Sequence, residues 1–188
     1  CFSFQAIKHL TTIDGGLLCL KNEEDYTKAR KMRWFGLDKK VARLENDIVQ
    51  AGYKYHMNNV NATVGLVQLK FLKENVIRYI ENGNYFDENL KNINGLTLLP
   101  YHSNTNPSYW LYTMKVERRD DFIAMMASNG VSASPLHLRN DRHSVFEAPH
   151  NNTPNLDLFY EEFVHIPCGW WLENEDCEKI VKIIKKGW

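Results

Sequence analysis

Two short apolar runs, residues 1–4 and 17–20, bracket a loop that carries one lysine and closes on the Gly15-Gly16 pair. Runs this short, bounded by a Gly-Gly turn, predict strands. Strand, loop and strand followed by helical patterning point to an α/β chain, and they place Lys8 between elements expected to be buried. Burial disfavours the ammonium form of a lysine and favours the free amine, which can condense with a carbonyl as a Schiff base. A solvated loop lysine satisfies the same spacing, so the residues alone leave both readings open.

At 188 residues the chain suits one domain, or one and a half. A 44% hydrophobic and 12% aromatic content suffices for a sizeable core. Lys plus Arg and Asp plus Glu both total 23, so net charge draws the chain toward neither a nucleic-acid polymer nor a membrane. The basic run 28–33 reads as a solvated helix face. Four cysteines occur with no Cys-x-x-Cys pair, which argues against a disulfide framework or zinc site and for a reduced, cytoplasmic chain. No signal peptide is visible, and no apolar run nears the ~20 residues of a spanning helix. The chain opens on Cys1, inside a strand-like run, and is expected to be a fragment, a processed product or a partial reading frame.

Asn22 is placed to cap a helix over 23–33, with Glu23, Glu24 and Asp25 in its first turn and bases in its last, as the helix dipole prefers. Residues 37–51 are polar and read as loop. A long helix is expected over 59–82, with Val60, Val64, Val67, Phe71 and Leu72 near helical spacing, interrupted by Gly83 and resumed over 85–93. Gly65 costs that helix roughly 1 kcal/mol relative to Ala, which suits close packing there. Beyond Gly95, strands are expected over 96–100, 109–117 and 131–134. Helices are expected over 118–129, 156–163 and 175–186, the last capped by Asn174. A polar loop with Pro135, Pro149 and Pro154 fills 135–155. A change of pattern near 75–95 suggests a domain boundary. On that loop His137, Arg139, Arg142 and His143 put two imidazoles and two guanidiniums within seven residues, a set able to grip a diphosphate. A polar surface loop explains them equally well, and His-x5-His without a third ligand is weak evidence for a metal.

Three blocks carry a resemblance. Ser3-Phe4-x3-Lys8-x-Leu10-Thr11-Thr12-x-Asp14-Gly15-Gly16 resembles the pyridoxal-phosphate (PLP) lysine motif of the DegT/StrS family, the nucleotide-sugar aminotransferases. Gly52-Tyr53-Lys54-Tyr55-His56-Met57, with Ala62 and Gln68-Leu69 on the following helix, resembles a second family block. Residues 131–143, then Ile166-Pro167, resemble its C-terminal substrate loop and closing segment. The resemblance covers essentially the whole chain but aligns it only with the C-terminal half of a family member.

The resemblance implies a fold-type-I, aspartate-aminotransferase-like architecture. Residues 1–75 would close the large PLP-binding domain, and 76–188 would form the smaller C-terminal α+β domain. Lys8 matches the cofactor lysine and Ser3 a phosphate-contacting serine, although a strand-end serine bonded to backbone fits too. Gln5 stands where relatives often have His. Lys54 and His56 replace residues of a Gly-Tyr-Asn-Tyr-Arg block that reaches across a homodimer interface to the partner's cofactor phosphate. Without the family, they read as an exposed loop. The 135–143 loop would line the substrate cleft, with Arg139 on the diphosphate and His137 and His143 nearby. Phe146 and Gly169-Trp170-Trp171 read as packing. The implied activity is transfer of an amino group, usually from glutamate, to a keto group of a nucleotide-linked deoxysugar, in polysaccharide biosynthesis. A non-catalytic remnant is the alternative. Dehydratase relatives replace the lysine with histidine, so Lys8 favours transamination. The family's phosphate loop, ring-stacking aromatic and pyridine-facing acid do not follow Lys8, so the chain alone is expected not to hold PLP productively.

Overall fold

The computed structural model describes residues 1–146 and 152–188. Residues 147–151, and with them Pro149 of the expected polar loop, lie outside the described residues. The chain divides into two compact units, 1–73 and 74–188.

In the first unit β1 (Phe2–Ser3) and β2 (Gly16–Leu17) pair antiparallel, Phe2 opposite Leu17 and Ser3 opposite Gly16. Both are shorter than expected and both are exposed. The ladder has two residue pairs and no covering layer among the described residues of this unit, so the expected burial is not met. Helix α1 (Glu23–Met32) follows its sequence signals closely: Asn22 Oδ1 accepts the Asp25 N–H at 2.8 Å. The loop after it is organised by Asn46, whose side chain accepts the Asp38 N–H at 2.8 Å and donates to the carbonyls of Asp38 and Val41 at 3.0 and 2.9 Å. The single long helix is in fact two, α2 (Asn59–Gln68) and α3 (Leu72–Asn89). Neither Gly nor Pro causes the break. The Lys70 and Phe71 amides bond three residues back, to Val67 and Gln68, a tightening that ends α2.

Gly83 does not stop α3; it is buried within it. A Cβ there would lie 2.3 Å from the Tyr109 ring, so the glycine admits an aromatic side chain against the helix. Tyr109, held at a left-handed φ of 44°, is fixed on that spot by its hydroxyl, which donates to Asp87 at 2.6 Å. Tyr112 donates to the other Asp87 oxygen at 2.7 Å. Burial pushes both phenols above the ordinary tyrosine range, and the shared carboxylate adds to the rise.

The second unit is built on an antiparallel sheet ordered β3 (Leu96–Leu98), β4 (Tyr112–Val116), β5 (Phe163–Ile166). Helices α4 (Arg119–Ser128), α5 (Pro154–Glu162) and α6 (Asn174–Ile184) complete it. Period-two alternation sends Tyr112, Met114 and Val116 to one face of β4. There they meet Phe86 of α3, Leu90 just past its end, Phe122 and Met126 of α4, Val164 and Ile166 of β5, and the apolar stripe of α6, in one core. Residues 131–134 form no strand; a single bridge joins Ser134 to His165. The expected cap of α6 moves back one residue, because Glu173 and Asp176 form a reciprocal capping box.

Candidate active site

The Lys8 loop is held by its own backbone. The Phe4 amide donates to Gly15 O at 2.9 Å, and the Thr12 amide donates to Phe4 O at 2.8 Å, so the loop closes on both sides of the lysine. The Thr12 hydroxyl donates to Asp14 O at 2.7 Å, and Asn61 of α2 reaches the same carbonyl at 2.8 Å. Thr12 is buried under Gly65, where a Cβ would sit 2.7 Å from its methyl. Lys8 itself is half-buried. Ser3 is exposed, and its hydroxyl accepts the Gln5 amide at 3.4 Å, the backbone contact expected of a strand-end serine.

The Gly52 block crosses the end of α1. Tyr53 and Tyr55 donate their amides to Met32 O and Arg33 O at 2.7 and 3.0 Å, and Trp34 bridges to Lys54. Glycine is required at the crossing, since a Cβ on Gly52 would fall 2.0 Å from the Gly36 nitrogen. The arrangement stacks His56 edge-on against Trp34 at 4.2 Å between ring centres, with the Lys39 ammonium 4.0 Å and the Lys54 ammonium 5.6 Å from the Trp34 ring. Burial against this surface, then the cations Lys54, Lys39 and Arg33, hold the His56 pKa below its ordinary value. His56 is therefore biased to the neutral form. Its Nδ1 is buried without a hydrogen-bond partner among the described residues. Every charge acting on it is positive, an environment that suits an anion.

In the second unit His137 and His143 are exposed. Arg139 is held by acidic partners that the sequence does not reveal. Its Nε donates to Asp141 at 2.9 Å, its remaining nitrogens reach Asp157 of α5 and Asp141, and Thr153 Oγ1 lies 3.2 Å away. Two carboxylates already neutralise the guanidinium, so it fastens the loop to α5. The Arg139 hydrogen bond holds the Asp141 carboxyl below the usual carboxylate range. No group of three or more metal-binding side chains occurs among the described residues.

The sequence profile of the DegT/DnrJ/EryC1/StrS aminotransferase family matches residues 1–185. The chain belongs to that family. A UDP-4-amino-4,6-dideoxy-N-acetyl-beta-L-altrosamine transaminase of Campylobacter jejuni is 25% identical over 100% of this chain and 53% of its own length. Among solved structures, AtS13 from Actinomadura melliaura is 38% identical with a TM-score of 0.95, over 100% of this chain and 51% of its own. The sugar aminotransferase CalS13 from Micromonospora echinospora is 33% identical with a TM-score of 0.95, over 99% and 51%. The chain thus spans about half the length of the relatives it matches. The likeness confirms the fold-type-I aminotransferase class, and the chain carries a partial aminotransferase fold.

Within this family member, sequence reasoning missed several neighbours of the candidate residues. Trp34 and Lys39 stand beside Lys54 and His56. Trp110 and His165 flank His137, with ring centres 6.0 and 5.9 Å away. The alternation Phe163-Val164-His165-Ile166 was the available signal for His165: it puts the histidine on the face opposite Val164 and Ile166. Trp171 packs edge-on to Tyr79 at 6.1 Å, as expected of a packing residue, although it is also 55% exposed.

Proposed function

We propose that this chain is the lysine-bearing part of a PLP-dependent aminotransferase, and that the whole protein transfers an amino group, from glutamate, to a keto group of a nucleotide-linked deoxysugar. The observation that carries the reading is the closed loop presenting Lys8 within a chain matched to the family over residues 1–185. The activity named for the Campylobacter jejuni relative supports the substrate class.

The residues present fit the cofactor at two points. Lys8 supplies an amine on a loop fixed by its own backbone, and Ser3 supplies a hydroxyl at the mouth of that loop. When bound, PLP supplies an electron-withdrawing ring that stabilises negative charge at the substrate carbon. In this reading Lys8 would hold the cofactor by its amine and, once the amino donor is bound, would serve as the base that moves the proton from the donor's Cα. Ser3 would offer its hydroxyl to the phosphate.

Lys54, with His56 beside it, would contact the cofactor phosphate of a second copy in a homodimer. The all-positive surroundings of His56 and the exposed apolar side chains of the first unit, such as Phe2, Leu17 and Leu66, support this. His137 and His143 would meet the substrate's phosphates, with Arg139 fastening their loop. The four free cysteines suit a reducing compartment, and the proposal places the enzyme in the cytoplasm.

Borohydride reduction of the PLP-loaded protein, followed by peptide mapping, tests the reading. The pyridoxyl label is expected on Lys8, and a label on another lysine overturns it.

A further inference from the structure

The sheet of the second unit has a second face, away from the core. Strand register there sets Thr113 opposite His165 and Lys115 opposite Phe163. The His165 ring is pinned from one side, with Nδ1 2.8 Å from Thr113 Oγ1. Its other nitrogen, Nε2, is shut off from solvent and has no hydrogen-bond partner among the described residues. The rings packed on His165 are Phe163 at 5.4 Å and His137 at 5.9 Å, the latter nearly perpendicular at 80°. Only His137 brings a polar edge. Its approach is built into the backbone, because Ser134, three residues earlier, exchanges two hydrogen bonds with His165, at 3.1 and 2.9 Å. Trp110 lies against His137 as well, 6.0 Å between ring centres.

The other charged groups on this side of the sheet are engaged elsewhere. Lys115 pairs with Glu162, and Arg119 donates to Tyr160 O. Arg142 lies 5.1 Å over the Tyr160 ring, and Arg139 is bound by Asp141 and Asp157. Burial, and then the charge of His137, lower the His165 pKa to about 4, so His165 is neutral at pH 7. A neutral imidazole that donates Nδ1–H to the Thr113 oxygen has a lone pair on Nε2 and accepts a hydrogen bond there.

We propose that Thr113, His165 and His137 form a hydrogen-bonded relay when the exposed His137 ring turns toward the sheet: its N–H then fills the unpartnered His165 Nε2, which aims the outer nitrogen of His137 at an oxyanion of the substrate. His165 is a positioning residue: it acts on the substrate through His137 and does not touch it. The inference rests on the proposed role of the 135–143 loop in binding the substrate's phosphates.

Imidazole-labelled NMR of the 188-residue chain tests it, with inorganic pyrophosphate as the anion probe. At pH 7 His165 should be the Nδ1–H tautomer, with signals that move in step as His137 titrates. In His137→Phe the His165 titration should become a single step at higher pH, since the repelling cation is gone. Thr113→Val should relax the tautomer preference. His165→Phe should weaken pyrophosphate binding about fivefold, the worth of one ordinary hydrogen bond, and His165→Gln, which keeps an acceptor, should restore most of it. A His165 titration that is the same in wild type and His137→Phe overturns the relay. So does pyrophosphate affinity unchanged in His165→Phe but lost in His137→Ala. If His137→Ala leaves pyrophosphate affinity untouched, the loop's substrate role fails instead, and the relay stands or falls on the tautomer and the shared titration.

Discussion

Every buried hydrophobic side chain among the described residues lies at or beyond Tyr79, in the second unit, whereas residues 1–73 leave Phe2, Ile13, Leu17, Leu66 and Phe71 half or more exposed. The second unit is stabilised by area removed from water, at about 25 cal/mol per Å². The first unit is held by backbone bonds, caps and close glycine contacts: Phe4 to Gly15, Tyr53 to Met32, Asn22 on α1, Gly52 against Gly36. The residues proposed for cofactor chemistry, Lys8 among them, therefore sit where the chain buries least. Their geometry is specified locally, by these backbone bonds and caps. The 135–143 loop, in contrast, follows Ser134, which is bridged to His165 of β5, a strand of the core sheet.

The largest effect should separate the two units outright. Phe122→Ala removes a fully buried ring and is expected to cost the second unit about 3–5 kcal/mol, read by urea unfolding. Leu44→Ala, at a side chain 100% exposed, should stay within about 0.5 kcal/mol. Comparable losses would break the contrast. Next in size, Gly52→Ala forces a methyl to within 2.0 Å of the Gly36 nitrogen and should cost about 1–3 kcal/mol. Hydrogen exchange should locate that loss at the Tyr53 and Phe35 amides while α6 amides keep their protection. If protection falls evenly across both units, they unfold as one and the comparison needs redrawing.

A smaller change is expected from Asn22→Ala, which removes the side-chain acceptor for the Asp25 amide. A loss of about 1 kcal/mol, confined to α1 exchange, would confirm that the first unit depends on local devices. The smallest effect concerns pH. The folded Asp141 pKa is depressed by Arg139, so its stabilisation is present above the unfolded value of about 3.9 and is lost as pH falls through the folded one. Asp141→Asn should remove that acid dependence from the loop's exchange rates and leave the core transition where it was.

Helix α1 was legible because its signals are local: an Asn cap, three acids first, bases last. The Lys8 segment and the Gly52 block were legible as motifs. Gly83 misled because its reason is the Tyr109 ring, 25 or so residues away in a different element, and one-dimensional patterning treats any mid-helix glycine as a break. The break at 69–71 had no Gly or Pro to announce it. Strand β5 was overlooked because it begins directly after α5, where the helix expected over 156–163 ran into it. The partners of Arg139 were not legible because sequence shows a charge but not what it meets; Asp157 lies 18 residues further on.

By itself, then, the sequence determined the family, the α/β class, the lysine and glycine positions that the Lys8 loop and the Gly52 crossing demand, and the capped helices, since each depends on residues a few positions apart or on a motif read in order. Only the tertiary structure decided which cations are already neutralised, which half of the chain owns a core, and that Thr113, His137 and His165 meet across β4, β5 and a loop. Those outcomes depend on register and on contacts between distant segments, where a one-residue shift of a strand sends every side chain to the opposite face.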